Sequence, residues 1–276
     1  MKHLYILILF ILPLFSIAQQ TPKIKGSGIV VSEKHTIEEA VNTLVVDGDL
    51  LVSLSQDTEG AYSIETDDNL IKAIDFKIKD STITISPNSK ITRKKKLAIQ
   101  IVLPIIKAIT LDNGAQLEHD GTLDGETLFL SAGSSTKFEY DLDYKNRVEV
   151  ELFANADGII KAKTKKGKLN MDDRAHLDAY FIADSLSILG NDNIKLKLDG
   201  SLEMTTIKLA DHSRLEARRA YITATNLTMS GTSDAIINSK EELKLHLDDD
   251  ASLQLYGDPT ITVDALKSKS KILKKE

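Results

Sequence analysis

One phrase returns along this chain and restricts its fold more than any other feature. "ITLDNGAQL", "LNMDDRAHL", "IKLADHSRL" and "LHLDDDASLQL" each set two apolar residues, one outward residue apart, ahead of a small or acidic corner. A second apolar strand follows each corner. The last apolar residue before the corner falls at Leu111, Leu130, Leu152, Met171, Leu189, Leu209, Met229 and Leu247, in steps of 18 to 22 residues. A period near twenty, built of short alternating strands, is the signature of a solenoid. Alternate side chains of a strand point to opposite faces, so a coil's apolar face stays wet until the next coil stacks on it. The expected fold is all-β, a right-handed parallel β-helix of about eight coils. A β-sandwich also spaces strands about every 8–12 residues, but it gives no reason for the corner itself to recur.

Gly, Asn, Asp and Ser fill the corners because they tolerate left-handed backbone and hydrogen-bond it locally. The run Asp248, Asp249, Asp250 occupies the eighth corner and reads as a turn. The competing reading is a calcium site, since carboxylate-rich loops suit hard cations. The Gly-Gly-x-Gly-x-Asp repeat of calcium-binding β-rolls is missing. Ahead of the repeat, "TLVVDGDLLVSLS" reads as a hairpin around Asp47-Gly48 and "FKIKDSTITIS" as another at Asp80-Ser81. Pro104 interrupts the strand region that follows. These hairpins are expected to close one end of the stack, where strand edges would otherwise be open. The division is a signal peptide at 1–18 and a single domain at 24–265. Within that domain 24–108 holds the hairpins and first strands and 109–265 the coils, and a basic tail follows at 266–276.

The signal peptide rests on a basic start, an apolar run from Leu4 to Phe15, and Ser16-Ile17-Ala18 before Gln19. The run is too short to span a membrane, and after cleavage no transmembrane segment is expected. The chain has no cysteine, which excludes disulfides, thiol catalysis and a thioether-linked lipid. Its net charge of −6 argues against nucleic acid as a partner. Tryptophan is absent and aromatics are 5%, which argues mildly against a saccharide cleft.

"GSGIVVSEKHTI", beginning at Gly26 and Gly28, and the closing "LQLYGDPTITV", with Tyr256, Gly257 and Pro259, resemble a bacterial family of exported autotransporter-adhesin-type proteins with the head GIN domain. Leu44 to Gly48 matches the family's Ile-x-Val-x-Gly strand loosely, and the family's Gly-Ser-Gly corners are mostly replaced here by Asp, Asn and Ala. The resemblance implies a parallel β-helix-like fold, an envelope location (periplasm, cell surface or secreted) and, by analogy, adhesion.

No constellation in the sequence points to catalysis. The histidines fall at different offsets from the corners: His119, His176, His212 and His246 do not align into a metal site. Arg214, Arg218 and Arg219 near Asp211 are the nearest match to the outer-sheet sites of β-helix lyases. "TRKKKL", with Arg93 to Lys96, and the lysine-rich C-terminus read as solvated edges, or as contacts for anionic headgroups or polysaccharide. A column of outward charges is expected through Glu118, Glu139, Lys161, Asp178, Lys197, Glu216, Asn238 and Gln254. No cofactor and no metal is expected. The function expected is binding or scaffolding at the envelope without catalysis, with a cell-surface glycan or protein as partner. The alternatives are a carbohydrate-active β-helix enzyme and a structural module without a specific ligand.

Overall fold

The computed structural model describes residues 22–119 and 121–276; the expected signal peptide lies outside them. Nineteen strands join in one sheet, and Lys23–Lys25 with Lys90–Arg93 form a separate pair. Six strands carry the stack: Lys137–Leu152, Asp157–Met171, His176–Gly190, Lys195–Leu209, Arg214–Met229 and Asp234–Leu247. Each runs most of the way round one coil and pairs in parallel with the next, so that Gly158, Leu177, Leu196, Leu215 and Ala235 stand in one column. The architecture is a parallel β-solenoid of about nine turns. Among the described residues its one helical element is the 3-10 turn Asp68–Ala73.

Alternation packs the interior. Along Lys195–Leu209 the residues Leu196, Leu198, Leu202, Ile207 and Leu209 are buried, and equivalent residues of the neighbouring coils touch them in a core that runs from Ile37 to Leu255. With no disulfide available, this burial is the main source of stability, at roughly 1.5–3 kcal/mol for each large apolar side chain.

The corners are built as the sequence implies. Asn113, Ala154, Asp173, Asp192, Asp211, Asp249 and Ser268 all have φ of 54–58°, a region Asn and Asp enter more readily than other non-glycine residues. The preceding aspartate fixes several of them. Asp112, Asp172 and Asp248 accept the N–H of the next residue at 2.8, 2.9 and 2.8 Å. A small residue then turns inward in most coils, as at Ala115, Ala156, Ala175, Ser213, Ser233 and Ala251.

Asp80-Ser81 is the expected hairpin turn. Both residues have positive φ, and Lys79 pairs antiparallel with Thr82. Asp47-Gly48 is not a hairpin. Thr43–Asp47 and Leu51–Ser55 do not pair with each other; they lie parallel to Ala108–Asp112 and Gln116–His119. Asp47 and Gly48 are a coil corner one level before Asp112, which extends the stack beyond the repeat visible in the sequence. The end beyond them is closed by antiparallel strands: Ala61–Asp67 lies between Val30–Thr36 and Leu97–Val102. At the other end, the expected basic tail instead continues the stack, with Lys271–Lys274 parallel to Ser252–Tyr256.

Two corner anchors and two positions of the charge column shift. The residue in register with Leu111 and Leu152 is Ala132, not Leu130, and the residue between Met171 and Leu209 is Gly190, not Leu189. The outward column reads Glu139, Ile159, Asp178, Lys197, Glu216, Ile236, Gln254. Lys161 and Asn238 stand two residues further along the same strands. The column retains its central pair, with Lys197 Nζ 3.7 Å from Asp178 Oδ1. Lys197→Glu would set three acids on adjacent rungs. It is expected to destabilise by roughly 0.5–1 kcal/mol at low ionic strength and by less in high salt. Thermal melts at two salt concentrations measure this, and a salt-independent change would count against the register.

Candidate binding surface

The outward residues of successive coils meet in a shallow groove of about 220 Å³. Its exposed apolar part is Ile159 and Tyr180, which occupy outward positions of the strands and are 43% and 44% exposed. Around them stand Lys161, Asp178, Lys197, Asp199, Glu216, Arg218 and Arg219. Gly200 shapes one edge: its φ of +115° carries the chain close over Phe181, and the register shifts between Lys197 and Ser201.

Charges in the groove are largely matched. Asp178 lies 3.3 Å from His176 Nε2 as well as near Lys197, and Asp199 forms an ion pair with Arg219, Oδ2 to Nε 3.1 Å. Arg218 stacks 4.5 Å over the ring of Tyr256. The three arginines considered from sequence are therefore engaged separately: Arg214 pairs with Asp234, Arg218 with Tyr256 and Arg219 with Asp199. Asp211 sits at a corner with positive φ. A groove of matched ion pairs around an exposed phenol ring offers orientation and contact area to a ligand.

The aspartates of the last full corner work on the backbone. Asp249 accepts the N–H of Gly231 at 2.9 Å, and Asp248 accepts from Asp249 N–H and, at 3.0 Å, from Ser268 Oγ. Those hydrogen bonds, the Asp249 N–H first, hold the Asp248 carboxyl below its ordinary range. Asp250 donates its own N–H to Gly231 O. A tighter acid cluster lies elsewhere, at Asp172, Asp173 and Asp192, whose carboxylates approach within 4.8 Å of one another. Its crowding pushes Asp192 above the usual carboxylate value, mainly through a hydrogen bond with Asp172. The register of the corners brings these three together, and the spacing of aspartates in the sequence alone did not single them out.

The histidines are dispersed. His35 stacks on Tyr62, His119 Nδ1 lies 3.0 Å from Leu54 O, and His176 sits between Asp157 and Asp178. Of the basic islands, Lys96 pairs with Glu65, Lys267 with Asp248 and Lys274 with Asp258. The glycines of the N-terminal motif have a structural reason. Asp67, fully buried, accepts N–H groups from Gly28 and Lys95, and a Cβ on Gly26 would meet its carboxylate at 2.8 Å. Gly257 of the closing motif has φ +80°, and a Cβ there would lie 2.1 Å from Ser239 O.

The groove itself was not legible in the sequence. The available signal was an apolar residue at an outward position, which becomes visible only once register is known.

Stacked coils with an antiparallel cover at one end and a shallow outer groove define an end-capped β-solenoid. The chain belongs to the family described as "Putative auto-transporter adhesin, head GIN domain", which matches residues 40–180 and 150–259. Two solved structures titled as putative adhesins are similar in fold. One is from Parabacteroides merdae, with 17% identity and a TM-score of 0.69, and the other from Parabacteroides distasonis, with 14% and 0.70. Each likeness covers 92% of this chain and all of the other. A third, titled a putative lipid binding protein from Parabacteroides distasonis, has 15% identity and a TM-score of 0.63 over the same shares. No curated protein matches the chain. Among the described residues no helix is long and apolar enough to cross a membrane.

Proposed function

We propose that this protein is exported and acts at the cell envelope as a binding or scaffolding protein of the adhesin type, without turnover, engaging a surface glycan or protein. The observation that carries this reading is the outer groove. Exposed Tyr180 and Ile159 stand on a rigid stack, amid ion pairs whose partners are already in contact. Surface aromatic and apolar residues held by a rigid scaffold make contact area at little entropic cost. Family membership supports the same reading.

The test combines binding with chemistry. Purified protein is applied to a glycan array and crosslinked to intact cells, and polysaccharides are assayed for new reducing ends. Tyr180→Ala is expected to abolish capture while leaving the melting temperature almost unchanged, because the ring is half exposed. Capture that survives Tyr180→Ala removes the groove from the reading. Release of reducing ends from any polysaccharide overturns the non-catalytic reading. Surface protease shaving distinguishes the periplasm from the cell surface.

A further inference from the structure

The last turn of the stack is covered on one side. Among the described residues, Thr260–Leu266 pairs with Asp234–Leu247 and no other strand, and Lys271–Lys274 pairs with Ser252–Tyr256 alone. Ile261, Val263 and Leu266 stand in register with Leu243, Leu245 and Leu247, which are buried. They take the same inward slots, yet they are 44%, 50% and 50% exposed, because no described coil stacks on them. The opposite end differs. Antiparallel strands close it, and Leu70 and Ala73 are buried there.

A sheet edge with unpaired N–H and C=O groups is a template for another strand. Thr260–Leu266 presents such an edge, and its one charged side chain, Asp264, is already paired with Lys244. The segment that follows is basic. Residues 266–276 hold five lysines and one glutamate, in a chain of net charge −6. Lys267 and Lys274 have ion-pair partners, whereas Lys269, Lys271 and Lys275 have none among the described residues.

The coil before it shows what this lysine corner fits. Lys267-Ser268-Lys269 stacks on the acidic corner Asp248-Asp249-Asp250. Lys267 Nζ lies 3.9 Å from Asp248 Oδ2, Ser268 Oγ donates to Asp248 at 3.0 Å, and the Lys269 N–H donates to Asp249 O at 2.9 Å. No described strand covers the other side of that corner. A second copy of this chain suits it poorly. Head to head, it would set lysines against lysines; head to tail, it would offer an end that is already closed.

We propose that this edge binds an extended segment of another protein, in which alternating apolar residues lead into a run of acidic ones. The apolar residues cover Ile261, Val263 and Leu266 on their open side, as Leu243, Leu245 and Leu247 do on the other. The backbone adds one rung to the ladder at the usual strand spacing of about 4.8 Å. The acidic run lies over the corner, against Lys269. Apolar slots alone would accept any strand, and lysines alone any anion. Slots that end at a lysine corner select the two in that order.

The probe is a dye-labelled peptide with the sequence of residues 243–252, LKLHLDDDAS, which carries this pattern in the register the last turn already accepts. Fluorescence anisotropy with the whole protein is expected to show one-to-one binding that weakens in high salt. The same peptide with asparagine at its three aspartates is expected to bind about tenfold more weakly. A version N-methylated at alternate residues is expected not to bind, because its ladder donors are gone. Val263→Lys is expected to abolish binding. Lys269→Gln is expected to weaken it about fivefold with the melting temperature unchanged. Tyr180→Ala is expected to leave it intact, which separates failure of this edge from failure of the groove. The proposal is overturned if the peptide does not bind, if the asparagine or N-methylated version binds as tightly, or if Val263→Lys has no effect. It is also overturned if sedimentation shows dimers that Val263→Lys separates, since a second copy would then hold the edge.

Discussion

Gly200→Ala is expected to destabilise the solenoid by roughly 3–5 kcal/mol, combining backbone strain with overpacking. Gly200 has φ +115°, and a Cβ there would lie 2.0 Å from Phe181 O and 2.8 Å from Phe181 N. Those atoms cannot yield easily, because Phe181 and Gly200 are partners in the parallel ladder and the Phe181 side chain is fully buried. A shift large enough to admit a methyl group would break pairing between two central coils. Marginal stability leaves little to absorb such a loss. Urea unfolding followed by circular dichroism measures it, with exposed Ser201→Ala as a near-neutral control. A Gly200→Ala protein with an unchanged midpoint would mean that the chain does not cross Phe181 in this register. Gly257 meets the same restriction against Ser239 O, which gives the closing motif a physical reason.

Glycine also explains where the sequence was legible and where it was not. The repeat, the parallel stack and the use of Asp and Asn at corners could be read from spacing, because a corner recurs only if coils do. Register could not be read fully, since inward slots were recognised by large apolar residues. Gly190 takes such a slot, and Ile194 Cδ1 fills the space its side chain would occupy, 3.0 Å from an ideal Cβ. Leu189, which looks like the anchor, is 40% exposed. Gly158 does the same beneath the ring of Phe138, which displaced Lys161 from its expected column and left Ile159 outward. The groove was hidden by that displacement, because an exposed Ile159 is informative only after Gly158 is known to face inward. Asp47-Gly48 was misread for another reason. A glycine after an aspartate permits a hairpin turn and a solenoid corner alike, and only the partners of the flanking strands distinguish them.

Acid should release the N-terminal segment before it melts the coils. Asp67 joins Gly28 and Lys95, whose N–H groups reach its two carboxylate oxygens, the second at 2.7 Å. This clasp sits beside the pair Lys23–Lys25 and Lys90–Arg93, which belongs to no larger sheet. Hydrogen bonds, that of Lys95 first, hold the Asp67 carboxyl below its ordinary 3.8, with desolvation opposing them. A depressed carboxyl stabilises the folded state fully above its unfolded value, and the stabilisation is lost as pH falls through the folded value. Amide exchange at Gly28 and Lys95 is therefore expected to be slow near neutral pH and to accelerate below the ordinary carboxylate range, ahead of Leu177 or Leu196 in the stack. Asp67→Asn is expected to remove that protection at every pH. One of its two acceptor atoms becomes an N–H donor facing another N–H, and protonation no longer controls the contact. If Asp67→Asn kept slow, acid-sensitive exchange at these two amides, some other group would have to hold the segment, and the close fit of Gly26 against the carboxylate would not explain the glycine at that position.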